Sequence, residues 1–195
     1  MVTSSDISVG LAHEFIITAC KAGFEAKDFA VLAQSEEKLR EVLTFVRGYS
    51  EIKQIDHIID CDADPFVPEG WKVEEHKKMG QWKWGPTKVI FYLSENQKNG
   101  HVEGNELRKE LADKLVLNAN VLDYLLVHPH LIPEEWKEDD NGNTRYIFFW
   151  GTIYRNSGGL LFVRCLYFVG GKCHWYYFWL GLGWDDNYPA ALLAS

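Results

Sequence analysis

The residues whose types and spacing can do chemistry gather in one short stretch, His57-Ile58-Ile59-Asp60-Cys61-Asp62-Ala63-Asp64-Pro65. On an extended segment residues two apart share a face, so Asp60, Asp62 and Asp64 would present three carboxylates in a row, neighbours about 7 Å apart. Such an oxygen-rich row suits Mg²⁺ or Ca²⁺, with His57 as a less natural partner. The chemistry implied is metal-dependent hydrolysis or phosphotransfer, in which the cation activates water and neutralises an anionic substrate. The same aspartates also read as turn-capping groups facing water ahead of Pro65 and Pro68.

Two specific forms of the metal reading fail on the sequence. An EF-hand loop starting at Asp60 needs Gly where Pro65 stands and a bidentate Glu where Trp71 stands. An apolar strand followed by Asp-x-Asp also resembles the start of haloacid-dehalogenase-like phosphatases, which implies Asp60 as nucleophile and Asp62 as acid/base. That fold requires a parallel sheet of alternating strands and helices, and this chain ends in an antiparallel pattern. His128 and His130 flank Pro129 as a His-x-His pair suited to Zn²⁺, without a third ligand at helix spacing. His174 is a lone strand histidine with no nucleophile beside it.

The second candidate is aromatic. Trp150, Trp175, Tyr177, Trp179 and Trp184 can form a platform for sugar rings, planar ligands or a protein partner. Arg164 falls opposite Tyr177 if Gly170-Gly171 is a two-residue turn, so its guanidinium can stack there or orient an anion. The competing reading is that these rings are core, where large aromatics mostly lie.

The elements that must position these groups are of three kinds. Tyr146 to Tyr154, Leu160 to Phe168 and Lys172 to Leu180 are β-branched or aromatic runs separated by Asn156-Ser157-Gly158-Gly159 and Gly170-Gly171, a three-stranded antiparallel meander. Phe148 and Trp150 occupy one alternation phase and Phe149 the other, so both faces are apolar and at least one is covered. Residues 7–48 read as helices: one through Leu11, Phe15 and Ala19, a short one over Asp28 to Gln34, and one capped by Ser35 with the stripe Leu39, Val42, Leu43, Val46. The middle is irregular, with short extended pieces at Trp71 to Glu75 and Val89 to Leu93. Two helices follow, from Asn105 through Asp113 and from Asn118 or Asn120 to Pro129. Asp139-Asp140-Asn141-Gly142 reads as an exposed loop.

The expected fold class is therefore α+β, with residues 1–48 a helical segment and residues 49–195 an α+β domain. A net charge of −8 removes the electrostatic footprint of a general nucleic-acid binder. Thr144 to Leu180 nonetheless carries Arg145, Arg155, Arg164 and Lys172 without an acid, which leaves a small anionic partner open. Met1 to Asp6 has no export signal and no stretch reaches a membrane-spanning length, so a soluble, cytoplasmic protein is expected. In the assumed register Cys165 and Cys173 point to opposite faces, so reduced thiols are expected.

The phrases IDCDADPFVPEGWKVEEH, LNANVLDYLLVHPHLIPEEWK and IFFWGTIYR resemble those of an uncharacterised bacterial protein family with no known activity. The likeness runs from about Glu51 to the C-terminus; it implies a self-contained bacterial protein and transfers no functional residue. The function expected from the residues is a non-catalytic ligand- or protein-binding domain built on the aromatic sheet. The alternatives are the metal-dependent enzyme on Asp60, Asp62 and Asp64, and a structural or assembly protein whose sheet face forms a homo-oligomer interface.

Overall fold

The computed structural model describes residues 8–53, 55–139 and 142–194. Asp140 and Asn141 of the expected acidic loop, and Met1 to Asp6, lie outside the described residues. The chain divides into two compact units, one ending at Ile55 and one beginning at Asp56.

The first unit is helical: α1 (Val9–Lys21), α2 (Ala26–Ala33) and α3 (Glu36–Val46). Ser8 and Ser35 cap α1 and α3 by accepting from Leu11 N and Lys38 N, which satisfies backbone donors that a helix start leaves unpaired. Helix α2 starts two residues before Asp28, because the Asp28 side chain accepts from the backbone of Glu25 in a capping box. Ala19 is buried, and Phe29 meets Phe15 and Phe24 edge-on or tilted.

The second unit is α+β. Its strands are β1 (Ile58–Asp60), β2 (Lys72–His76), β3 (Gln81–Lys83), β4 (Val89–Tyr92), β5 (Val102–Glu103), β6 (Ile147–Arg155), β7 (Leu161–Val169), β8 (Lys172–Trp179), β9 (Gly183–Trp184) and β10 (Ala190–Leu193). Its helices are α4 (Glu95–Lys98), α5 (Gly104–Glu110) and α6 (Ala119–Val127). Strands β6, β7 and β8 form the expected meander, in the expected register: Arg164 opposite Tyr177, Cys165 opposite Tyr176 and Phe168 opposite Cys173. Gly170 and Gly171 both have positive φ, 59° and 73°, the demand of a type I′ turn whose twist matches the strands it joins.

The meander is part of a larger mixed sheet. Strand order is β4-β10-β6-β7-β8, and β2 pairs with the far half of β6. Strand β10 runs parallel to β6 and antiparallel to β4. The β6–β7 register shifts between Phe148 and Ile153, a bulge containing Gly151. A Cβ at Gly151 would lie 2.8 Å from Asn118 Cα and N, so only glycine lets the start of α6 approach the bulge this closely.

Strand β6 is buried on both sides because each face carries its own core. On one face Val121, Leu122 and Leu125 of α6 pack with Ile147, Phe149 and Leu166. On the other, Leu107 and Leu111 pack with Phe148, Ile153, Val163 and Trp184. Helix α5 ends at Glu110 rather than continuing to Asp113, and Asn118 rather than Asn120 caps α6, its side chain accepting from Asn120 N.

Candidate functional site

The aspartates of the first candidate are occupied in their own turn. Asp60 Oδ1 accepts from the backbone of Asp62 at 3.0 Å and Ala63 at 3.2 Å, and Asp62 Oδ1 accepts from Gly80 N at 2.8 Å. These bonds fold the chain after β1 against the start of β3, while Asp64 is exposed. Burial, then the charges of Asp60 and Asp62, push the Cys61 thiol up to about 11, so it stays protonated. Among the described residues no group of three or more His, Cys, Asp or Glu side chains stands arranged to hold a metal ion. His57 is hydrogen-bonded to Tyr124 Oη through Nδ1 at 2.9 Å.

Three residues of the aromatic candidate come together. Arg164 is 1% exposed, donates from Nη2 to Asp123 Oδ1 at 2.7 Å, and its Cζ lies 4.4 Å from the Trp175 ring centroid. Phe66 and Tyr177 stand 5.7 and 5.9 Å from the same carbon, which places the cation among ring faces. Burial opposes the charge on Arg164, but the Asp123 hydrogen bond and charge outweigh it and hold the guanidinium protonated. Arg164 Nε and Nη1, Tyr154 Oη and Tyr177 Oη have no hydrogen-bond partner. With Arg164 buried at its centre, this cluster ties β7, β8, α6 and the segment around Phe66 together.

The other tryptophans separate. Trp184 is fully buried against Phe148, Trp150 and Phe178, so it is core rather than platform. Trp179 is part-exposed over Gly181, where a Cβ would come within 2.4 Å of its ring. Trp150 is 3% exposed, but it lines a cleft of about 650 Å³ between the end of β2 and α5. Its indole Nε1 is buried and has no acceptor, an arrangement that is uncommon because buried donors are nearly always paired.

The cleft is cationic in an acidic protein. Lys77, Arg108 and Lys109 line it together with one acid, Glu75. Arg108 pairs with Glu75 and Lys109 with Glu106. Lys77 Nζ donates to the carbonyls of Leu111 at 3.3 Å, Ala112 at 2.6 Å and Lys114 at 3.2 Å, and so caps the end of α5 with a full charge. Desolvation pulls the Lys77 pKa down, opposed by Glu75 and Asp113.

The wall of the cleft is fixed by a buried polar network. His76 Nε2 lies 3.1 Å from Cys61 O and Nδ1 2.9 Å from Thr152 Oγ1, which itself accepts from Ala119 N. The carbonyl of Cys61 can only accept, so Nε2 carries a proton and donates to it, while Nδ1 and the Thr152 hydroxyl share the second bond. Asn118 donates to the carbonyls of Cys61 and Lys77, so β2, the β6 bulge and α6 are held as one piece. His76, Lys77 and Arg108 carried no sequence signal. They are single residues on separate elements, brought together only by the pairing of β2 with β6 and by the placement of α5.

Comparisons with protein-family models, with curated proteins and with solved structures give no match for this chain.

Proposed function

We propose that this chain is a ligand-binding domain whose cleft beside Trp150 takes a small anionic molecule bearing a carboxylate or phosphate group. The observation that carries this reading is the buried Trp150 Nε1–H with no acceptor, in the wall of a cleft lined by Lys77, Arg108 and Lys109. An anionic oxygen would satisfy the indole donor and draw on positive charge that the ion pairs only partly neutralise. The aromatic sheet then acts as scaffold, with Trp150 on its central strand. The metal-dependent enzyme reading gains no comparable support, because the Asp60 and Asp62 carboxylates already accept backbone hydrogen bonds.

Thermal unfolding against inorganic phosphate, pyrophosphate, citrate and succinate tests the proposal. At 100 times its dissociation constant a ligand adds about 2.7 kcal/mol, a rise of several degrees for a domain of this size. Arg108→Ala removes a half-buried partner of Glu75 and is expected to abolish the rise while shifting the unliganded midpoint only slightly. No rise with any of the four anions would sink the reading.

A further inference from the structure

We propose that the free edge of β8 joins a second copy of this chain, by antiparallel pairing of the two β8 strands about a two-fold axis at Tyr176. Strand β8 ends the sheet order β4-β10-β6-β7-β8 and has β7 as its one strand neighbour. It pairs with β7 in a single unbroken register from Phe162 opposite Trp179 to Val169 opposite Lys172. Val169 and Lys172 close the two-residue turn and exchange both backbone bonds, so alternation makes Lys172, His174, Tyr176 and Phe178 the residues bonded to β7. The bond from Leu180 N to Leu161 O at 2.9 Å continues that phase. The N–H and C=O groups of Cys173, Trp175, Tyr177 and Trp179 therefore point away from β7. Among the described residues one backbone bond reaches this row, from Leu182 N to Trp179 O at 3.3 Å.

A row of open strand groups is a template for another strand. Sheet edges are ordinarily guarded by proline, charge, a bulge or short length, and β4, at the opposite end of this sheet, has four residues. Strand β8 is twice as long, has no proline, and carries its one Lys, Arg, Asp or Glu at the first position, Lys172. Phe66 and Trp71 meet Trp175 and Tyr177 through their rings and make no backbone bond to the edge.

The order of residues along the edge selects a copy of itself as the occupant. With Tyr176 opposite its own counterpart, Trp175 falls opposite Tyr177 of the second copy, Cys173 opposite Trp179 and His174 opposite Phe178. The outward-pointing residues then face one another as close pairs that exchange backbone bonds, and a shift of one residue would set them against inward-pointing ones. Side chains match in the same register. Aromatic rings meet aromatic rings, Lys172 meets Leu180, and no like charges are opposed. Trp175, Tyr176 and Trp179 are 37%, 62% and 37% exposed, large areas for an unpartnered strand to leave in water. An eight-residue edge is about 27 Å long, so the join is smaller than the roughly 1,600 Å² of a standard interface. A reversible, concentration-dependent dimer is the expected assembly.

The test is sedimentation of the full chain up to millimolar concentration, in a Cys20→Ser background that removes the exposed thiol. The expected result is a reversible shift from the 22.5 kDa chain to twice that mass. The amides of Cys173, Trp175 and Tyr177 should exchange with solvent more slowly as the dimer fills, while those of His174 and Tyr176, already bonded to β7, should change little. Tyr176→Lys and Tyr176→Glu, at an exposed side chain, should each be monomeric alone with little change in unfolding midpoint, and should associate when mixed, because the axis sets the two charges opposite each other. A chain that stays monomeric at every concentration overturns the proposal and leaves the edge to a strand of a different protein. A dimer undiminished in Tyr176→Lys, or one whose three edge amides exchange as fast as in the monomer, also overturns it, since another surface then joins the copies. The amide measurement on the unsubstituted chain decides the matter if a Tyr176 variant fails to fold.

Discussion

Arg164 and Asp123 set the energetics at the scale of single residues. Removing one member of a buried ion pair is more damaging than removing both, because the survivor keeps its desolvation and loses its partner. Asp123→Ala should therefore destabilise the protein by about 3 kcal/mol in urea unfolding, while Arg164→Met in the same background should recover much of the loss. Equal stability of Asp123→Ala and wild type would mean that the rings alone satisfy the guanidinium. Glu74 gives a second residue-level test. Two bonds from Arg155, Nε at 2.8 Å and Nη2 at 2.7 Å, lower its pKa from 4.5 to about 2. A depressed carboxyl pKa contributes stability that is full above the unfolded value and lost as pH falls through the folded one. Acid titration should show a component of stability declining between pH 4.5 and about 2, absent in Glu74→Gln; an identical acid limb in the variant would contradict this.

Among the elements, the β6 bulge decides how α6 meets the sheet. Gly151→Ala forces a methyl group into the backbone of Asn118 and should cost about 2 kcal/mol, as overpacking typically does. Unfolding by denaturant measures it, and a neutral result would mean that the bulge relaxes freely. The meander was legible in the sequence because β-branched and aromatic runs between glycine turns specify strands locally, and Gly170-Gly171 fixed the register residue by residue. Strand β10 was not legible: Ala190-Ala191-Leu192-Leu193 has no strand preference of its own and is extended because Phe91 and Phe148 lie in neighbouring strands. The candidate site divides in the same way. Arg164, Trp175 and Tyr177 followed from alternation along the hairpin, whereas the cleft required β2 and α5 to be placed against β6 by long-range packing. His128-x-His130 was visible as a pair, but its proximity to His57 depends on how α6 crosses β1.

For the whole molecule, the contrast between a net charge of −8 and a cleft carrying Lys77, Arg108 and Lys109 is the main electrostatic feature. A local cationic recess in an acidic protein suits the small anion proposed as its ligand, while the overall field disfavours an extended polyanion. Among the described residues no helix is long and apolar enough to cross a membrane. The first unit is a set of three short helices with Phe15, Leu39, Val42 and Leu43 substantially exposed, and the second contains the cleft beside Trp150. Anion binding in this cleft, as proposed, turns on one proton, the indole N–H of Trp150. The most direct measurement is a ¹⁵N–¹H correlation spectrum of the full chain titrated with pyrophosphate and citrate, the Trp150 signal being identified by its loss in Trp150→Phe. Of the eight tryptophan indole signals, Trp150's is expected to shift most, saturably, as an acceptor reaches it. A Trp150 signal that stays in place while either anion binds elsewhere, or while neither binds, would contradict it.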